Sequence, residues 1–320
     1  MEDTIKKYFQ DKFRSGGNVF SVEFLTNGNS SNHLNYKVTT SSGLYVARIT
    51  KPGDLLSYSN LADEYTILKM VEDFYIGPHA VSIDLEYFDS PILIEEYIDG
   101  ISFAELKSPD EEIFKNVISL LNQTSKVNIR SEQFPFKCTY TTYKTNFKVW
   151  DFRMKEIEKL LGEDHFIIQE FRVILKKAED ILKEKDGLLQ NSQKEFIYND
   201  VHPGNIFWMN KEKKAKFIDW QKVSLGDPTF MIALFARRFN YIWNEEKASF
   251  SNRVLEFYSK EKQINNIEEL FYARCLERAV SDMIWIVWAD IKNGVKPKIS
   301  IIEENKYYSE ACLLISKIFK

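Results

Sequence analysis

The first hundred residues alternate between apolar and polar positions in short runs, a pattern typical of β-strands. Asn, Gly and Ser residues separate most of these runs, as expected for turns. The predicted strands are Val19–Leu25, Leu34–Thr39, Leu44–Thr50, Ala80–Tyr87 and Pro91–Tyr97. One helix is predicted between the third and fourth strands, over about residues 59–74, with serines available as its N-cap.

The pattern becomes mainly helical beyond Gly100, in segments 103–190 and 229–320, and only residues 196–220 again indicate strands. This order predicts an α+β protein with two lobes. The first is a small antiparallel β lobe with one helix, residues 1–97. The second is a larger, mainly helical lobe, residues 98–320. Ligands often bind in clefts between such lobes.

Composition and charge exclude several classes of protein. The 320 residues carry a net charge of −4, which gives no general attraction to nucleic acid or to an anionic membrane. The most apolar run, Met283–Ala289, is too short to span a bilayer, and the charged N-terminus has no signal-peptide core. Three widely separated cysteines, Cys138, Cys275 and Cys312, form neither a metal spacing nor a disulfide framework. We therefore expect a cytoplasmic protein with no membrane or nucleic-acid partner.

Segment 196–220 carries the candidate chemistry, because a hairpin over residues 205–219 would place Asn205 opposite Asp219. An amide oxygen and a carboxylate at that spacing can share one Mg²⁺, which usually takes few protein oxygens together with phosphate oxygens. Asp200, at the head of the loop before Asn205, is placed to accept a proton from an attacking hydroxyl. Asn and Asp are also common turn residues at strand ends, so the spacing alone does not establish a site.

This segment resembles the catalytic and metal-binding motifs of kinase-like small-molecule phosphotransferases, the aminoglycoside phosphotransferase and choline/ethanolamine kinase superfamily. The matching residues are Tyr198-Asn199-Asp200-Val201-His202-Pro203-Gly204-Asn205 and Ile218-Asp219-Trp220-Gln221. The resemblance implies a bilobal protein-kinase-like fold that uses ATP and Mg²⁺, with Asp200 as the catalytic base and with Asn205 and Asp219 as metal ligands. Three positions depart from the family pattern: Tyr198 replaces a His, Gln221 replaces a common Glu, and Met231 stands where a second Asp is frequent.

The small lobe contains a candidate ion pair. Strand alternation places Arg48 on the face opposite Ala47, and Glu64 falls on the apolar stripe of the predicted helix, where an unpaired carboxylate would be costly. Arg48 is its natural partner, and the pair resembles the phosphate-binding cation and helix Glu of kinases.

Two further segments of the small lobe resemble nucleotide-binding parts of this superfamily. The loop with Ser30, Ser31 and Asn32 resembles the small-residue nucleotide loop, although by itself it is also an ordinary hairpin turn. Segment 92–100 resembles the strand and hinge, and backbone groups near Glu96 and Ile98 would meet the base. ATP is the expected nucleotide, and GTP is left open.

The phosphate acceptor is expected to be a small molecule, because Gly226-Asp227-Pro228 follows Asp219 too closely for a peptide-docking segment. Trp285 and Trp288 share one face of an apolar helix, which on the residues alone favours a place in the core. Choline and ethanolamine kinases carry a similar W-x-x-W helix followed by a Tyr-containing helix, here with Tyr308. That resemblance implies an aromatic cage for an amino alcohol.

Two other functions remain open. An aminoglycoside phosphotransferase would use carboxylates at the acceptor site, for which Glu245, Glu246 and Asp282 are candidates. A non-catalytic nucleotide-binding relative is the other alternative. The oligomeric state is not predicted.

Overall fold

The structure of the protein is a computed structural model that describes residues 1–13, 17–25, 33–50, 58–88, 90–128, 143–295 and 305–318. Its internal contacts divide the chain into two compact units. The first unit combines Met1–Lys137 with Asp200–Val223, and the second combines Cys138–Asn199 with Ser224–Lys320. The predicted lobe boundary at residues 97 and 98 differs from these bounds, because segments 98–137 and 200–223 belong to the first unit. Division of the chain into lobes at that point stays a prediction.

An antiparallel five-stranded sheet with the order β1-β2-β3-β5-β4 organises the first unit. Its strands are β1 (Val19–Leu25), β2 (His33–Thr40), β3 (Gly43–Thr50), β4 (Ala80–Asp84) and β5 (Ile92–Glu96). Each predicted strand is present. The fourth ends earlier than predicted because the Asp84 carboxylate accepts the backbone N–H groups of Glu86 and Tyr87, which closes a turn.

Two helices, not one, accompany this sheet. The predicted helix is α2 (Tyr58–Val71), continued by a short 3-10 helix over Glu72–Phe74. The additional helix is α1 (Glu2–Asp11), formed by the charged, amphipathic N-terminus. Its apolar side chains pack on one face of the sheet, so α1 adds a helix to the one that the sequence predicted.

The two faces of the sheet have opposite character. Apolar side chains on one face form a core with α1; they include Tyr36, Val38, Ala47, Ile49, Ile92 and Ile94. The other face, which we call the polar face, carries buried polar side chains: Asn35, Arg48, Thr50 and Glu95. Each has at least one buried polar atom that lacks a hydrogen-bond partner within the described residues. Buried polar groups are normally paired, so the polar face indicates a binding surface for a polar ligand.

A second sheet of the first unit has the order β6-β8-β9, from β6 (Ile101–Ser102), β8 (Ile206–Met209) and β9 (Lys214–Phe217). Helix α3 (Glu111–Ser125) packs against β9 and begins at Asp110, whose carboxylate caps the N–H of Ile113. Gly100 is close-packed, because a Cβ there would lie 2.8 Å from the backbone oxygen of Trp208. The predicted hairpin is formed by β8 and β9, and β6 adds a third strand to it.

The second unit is mainly helical. Its helices are α4 (Tyr143–Leu161), α5 (Phe166–Glu184), α6 (Asp186–Asn191), α7 (Thr229–Phe239), α8 (Lys247–Glu261), α9 (Ile267–Lys292) and α10 (Lys306–Ile318). Strand β7 (Glu195–Tyr198) pairs with β10 (Val223–Gly226). This antiparallel β part followed by a helical part confirms the predicted α+β class. Across the described residues, no helix combines the length and the apolar character that crossing a membrane requires.

Buried ion pairs hold the helices of the second unit. Arg237 of α7 binds Glu310 through Nε (2.8 Å) and Asp282 through Nη1 (3.0 Å). Arg274 of α9 binds Asp227 at 3.1 Å and Glu277 at 2.7 Å. Asp227 also accepts the backbone N–H and the hydroxyl of Thr229, the first residue of α7. The Gly-Asp-Pro motif thus anchors this helix.

Candidate functional site

Arg48 is the centre of the candidate site in the first unit. Its Nη1 lies 2.5 Å from Glu64 Oε1 and 3.8 Å from Glu95 Oε1, and its Nη2 lies 3.1 Å from Asp219 Oδ1. The ion pair between Arg48 and Glu64 has the partners that the sequence predicted. The structure adds two more carboxylates to the same guanidinium, which can bind several oxygens at once because its donors form a rigid fork.

Glu64 is fully buried and has three donors. Besides Arg48, the backbone N–H of Trp220 donates to its Oε1 at 2.9 Å, and the Gln221 amide donates to its Oε2 at 3.2 Å. Gln221, which departs from the family pattern, is therefore a neutral donor to a buried carboxylate. A Glu at this position would place a further negative charge against Glu64.

The carboxylates around Arg48 outnumber it, and their pKa values reflect this. Burial raises the pKa of Glu95, and the positive charge of Arg48 lowers it. The negative charges of Glu64 and Asp219 raise it further, so the pKa of Glu95 lies at about 8. Burial likewise raises the pKa of Glu64 to about 7 against the attraction of Arg48. For Asp219, burial raises the pKa, but the charge and hydrogen bond of Arg48 outweigh it and the pKa is lowered.

Asp219 lies just beyond the hairpin, and its position differs from the prediction by one residue. Ile206 pairs with Phe217, and the N–H of Ile218 donates to the oxygen of Asn205 at 3.0 Å, so Ile218 and not Asp219 is opposite Asn205. Asp219 instead has a left-handed backbone with φ of 60°. A residue after β9 with positive φ leaves the extended path of the strand, so the geometry is that of a turn.

Asp200 and Asn205 lie next to each other in the structure. The Asn205 amide nitrogen lies 3.3 Å from both the backbone oxygen and Oδ2 of Asp200. Lys222 also donates to Asp200 Oδ2 at 2.8 Å, and His202 Nε2 lies 3.9 Å from the same oxygen. Sequence reasoning missed Lys222, although its position three residues after Asp219 was a signal. Asp200 is therefore held in a locally positive environment.

Asn205 and Asp219 fit a magnesium ion in the chemistry of their donor atoms. The amide nitrogen of Asn205 is directed at Asp200, which leaves the amide oxygen on the other side of the group. Arg48 donates to Oδ1 of Asp219 at 3.1 Å. Throughout the described ranges, no cluster of three or more His, Cys, Asp or Glu residues is arranged to hold a metal. One amide and one carboxylate match the few protein ligands that Mg²⁺ takes beside phosphate oxygens.

The hinge segment, Glu96–Ile98, follows β5. The N–H of Glu96 donates to His79 O at 2.9 Å, and the N–H of Tyr97 donates to Leu44 O at 3.1 Å. Ile98 is buried, and its N–H has no acceptor in the part of the chain that the structure describes. Backbone N–H groups of buried residues normally have an acceptor; contact between Ile98 and a ligand stays a prediction.

The structure gives less information on the other residues that were predicted to bind the nucleotide. Ser30, Ser31 and Asn32 lie outside the described residues. The Glu96 side chain accepts the N–H of His79 and lies 3.6 Å from Lys216, so it is engaged within the protein. A cavity of about 820 Å³ borders Glu96 and Tyr97, but Arg48, Asp200 and Asp219 do not line it. The candidate site therefore rests on the polar face and the hairpin.

The remaining family departures have structural roles in the second unit. Tyr198 is fully buried, and its backbone N–H lies 3.3 Å from the sulfur of Met231. The Asn199 amide nitrogen donates to Ser224 Oγ at 3.0 Å. The first contact lies at the last residue of β7, and the second lies at the residue that follows it.

The predicted acceptor residues lie on helices of the second unit. Trp285 is 49% exposed, and Trp288 is half-buried, so neither has the fully buried place that the residues alone favoured. Arg153 and Lys292 lie 5.5 and 5.6 Å from the Trp288 ring centroid. The Tyr308 hydroxyl donates to Glu170 at 2.7 Å. A shared aromatic cage of Trp285, Trp288 and Tyr308 stays a prediction.

Two of the alternative acidic residues are neutralised by arginines. Asp282 binds Arg237 and Arg278, each at 3.0 Å, and Glu245 pairs with Arg253. Glu246 precedes α8. Neither Asp282 nor Glu245 is therefore an uncompensated negative charge.

Comparison with known proteins shows to which family the chain is similar. Residues 22–266 match the phosphotransferase enzyme family. No curated protein sequence matches the chain.

Solved structures share the fold at low sequence identity. A spectinomycin phosphotransferase, in complex with ADP and spectinomycin, is 13% identical and has a TM-score of 0.66, covering 100% of this chain and 98% of its own. A putative aminoglycoside phosphotransferase from Ralstonia eutropha is 13% identical with a TM-score of 0.67 (99% and 98% covered). A Plasmodium vivax ethanolamine kinase is 14% identical with a TM-score of 0.58 (93% and 82% covered).

Replacing Arg48 tests how much the carboxylate cluster depends on it. Arg48→Met would leave Glu64 and Glu95 buried without their cation, so we expect the free energy of unfolding to fall by about 3–5 kcal/mol. Denaturant unfolding at pH 7.5 measures this. Arg172→Met, which removes a surface pair with Glu158, is the control and should cost less than about 1 kcal/mol. Equal losses in the two variants would contradict a central role for Arg48.

The raised pKa of Glu95 predicts a pH-dependent stability. Its folded pKa of about 8 exceeds its ordinary value of 4.5, so its contribution is complete below pH 4.5 and is lost as pH rises through 8. Glu95→Gln removes this titration, and we expect the variant to gain stability relative to the wild type between pH 5 and pH 9. Glu23→Gln, on an exposed part of β1, is the control. If the free energy of unfolding changed with pH in the same way in all three proteins, a raised pKa of Glu95 would be contradicted.

Proposed function

Because the chain belongs to the phosphotransferase enzyme family, we propose that it transfers the γ-phosphoryl group of ATP, with Mg²⁺, to a hydroxyl group of a small hydroxylated amine. The observation that carries the proposal is the convergence of Asp200, Asn205, Lys222, Asp219 and Arg48 in one compact unit. These groups supply a base, metal-binding oxygens and cations for phosphates, the parts that phosphoryl transfer requires.

Each side chain has a role that its contacts support. Asp200 orients the acceptor hydroxyl and takes its proton, and Asn205 and Lys222 hold the carboxylate that does so. Arg48, fixed by Glu64, binds the phosphates. Asn205 and Asp219 would hold Mg²⁺, which neutralises charge on the phosphate oxygens when bound. Catalysis is then mainly positioning and charge stabilisation.

An amino alcohol such as choline or ethanolamine is the first candidate acceptor. The half-exposed Trp285 offers an aromatic surface for an ammonium group. Trp288 is a weaker candidate, because Arg153 and Lys292 already lie beside its ring and would repel a further cation.

An aminoglycoside is the second candidate. It is supported by the likeness of nearly the whole chain to the spectinomycin phosphotransferase and to the Ralstonia eutropha protein. The proposal places either reaction in the cytoplasm, where ATP is available. A non-catalytic relative would bind nucleotide without turnover, so the assays below also decide that alternative.

Removing the proposed base should abolish turnover and spare nucleotide binding. Asp200→Asn is expected to lower kcat by about 10²–10⁴-fold, because the amide cannot take the hydroxyl proton. Coupled ADP release measures turnover, and calorimetry with Mg·ATP measures binding. Asp180→Asn, at a surface ion pair of α5, is the control and should leave both values unchanged. Retained turnover in Asp200→Asn would exclude Asp200 as the base.

An acceptor panel tests the substrate class. We expect ADP release with choline or ethanolamine, and a KM for that acceptor that rises about tenfold or more in Trp285→Ala because a cation–π contact is lost. Phe152→Ala, another half-exposed aromatic residue, is the control. Turnover with an aminoglycoside instead, unaffected by Trp285→Ala, would select the second candidate.

A further inference from the structure

Glu95 is a buried acidic residue to which the proposed function assigns no role. It lies on the polar face at the end of β5 and is only 5% exposed. Its Oε1 is 3.8 Å from Arg48 Nη1, and its Oε2 has no hydrogen-bond partner within the described residues. A buried carboxyl oxygen without a partner is costly, which calls for a ligand or a proton.

Among the residues that the structure describes, the charged groups that face Glu95 do not include a cation that pairs with Glu95 alone. Arg48 of β3 is shared with Glu64 of α2 and with Asp219. Lys37 of β2 is in the same row of the sheet, but its ammonium lies 4.4 Å from the centroid of the Tyr97 ring. Three carboxylates share one guanidinium, and protonation of one of them relieves the excess charge most directly. The raised pKa of Glu95, about 8, agrees with that choice.

A protonated carboxyl group offers one O–H donor and one C=O acceptor, the same pair that an Asn or Gln amide offers. That pair is complementary to adenine, which presents the N6 amino group as a donor beside N7 as an acceptor. Guanine presents two acceptors there, O6 and N7, so it would leave the carboxyl oxygen facing a second acceptor. The chemistry of Glu95 therefore discriminates between the two purines.

A second, independent feature lies close to this residue along the chain. The N–H of Ile98, a buried residue three positions along the chain, has no acceptor in the described part of the structure. The N–H groups of Glu96 and Tyr97, between them, are both used within the protein. A donor and a carboxyl oxygen, each without a partner within the described residues and three positions apart at the same strand end, are suited to a flat heterocycle with both acceptors and donors on its edge.

We propose that Glu95 is a specificity-determining residue that reads the N6 amino group and N7 of adenine as a neutral carboxylic acid, and so selects ATP over GTP. The inference rests on the proposed function, because it concerns the base of the nucleotide which that function requires. It assigns to this side chain the choice that the sequence left open between the two nucleotides.

Binding of three nucleotides to the full-length protein tests the inference. Calorimetry with Mg·ATP, Mg·GTP and Mg·7-deaza-ATP, which lacks N7, would be run at pH 6.5. We expect the wild type to bind ATP about tenfold or more tightly than GTP, and to lose much of that advantage with the 7-deaza analogue. Glu95→Gln keeps the donor and the acceptor and should behave like the wild type. Glu95→Leu should bind ATP and its 7-deaza analogue equally and lose the preference over GTP.

The pH dependence separates base reading from a merely structural role. At pH 9 the ionised carboxyl group has lost its donor, so the wild type should lose its preference for ATP, whereas Glu95→Gln should keep it. Glu23→Gln is the control and should follow the wild type at both pH values. If Glu95→Leu does not fold, the wild type and Glu95→Gln still give the two readouts.

The outcomes distinguish this inference from the function it rests on. Equal binding of ATP and GTP by the wild type, or an unchanged ATP preference in Glu95→Leu, would overturn the role of Glu95 and leave the proposed kinase intact. No binding of any nucleotide by the folded protein would overturn the proposed function itself, and the inference with it.

Discussion

The site depends on one cation, Arg48, which holds three carboxylates from separate parts of the first unit. Glu64 comes from α2, Glu95 from β5 and Asp219 from the end of the hairpin, and all three lie within 4 Å of the guanidinium. A buried carboxylate is tolerated only where a charge and hydrogen bonds compensate its desolvation. The sheet, α2 and the hairpin are therefore tied together electrostatically at the place where the phosphates would bind.

This arrangement has more negative than positive charge, and neighbouring residues reduce the cost of that excess. Gln221 gives Glu64 a neutral donor, and the high pKa of Glu95 favours its protonated form. Lys222 supplies a positive charge at Asp200. A residue that departs from the family pattern, such as Gln221, is explained by its neighbours and need not mean a loss of function.

Much of this could be predicted from sequence, because alternation and turn residues determine strands strongly. The pair of Arg48 and Glu64 could be predicted from the order of their elements and from the face that each residue occupies. Asp200 and Asn205 could be placed near each other because a short loop joins them. The register of Asn205 and Asp219 was wrong by one residue, because the left-handed backbone of Asp219 has no clear signal in sequence. Glu95 was missed since it ends a continuous apolar strand, where periodicity does not show which face a residue occupies.

The core beneath the sheet links the beginning of the chain to its chemistry. Ile5 and Phe9 of α1 belong to the same cluster as Ala47 and Ile49, the two neighbours of Arg48 along β3. Strand β3 carries Arg48 on one face and packs its other face against the core that α1 covers. Looser packing of that core would therefore also displace the guanidinium of Arg48. We therefore expect deletion of the first dozen residues to weaken nucleotide binding, although none of the deleted residues belongs to the candidate site.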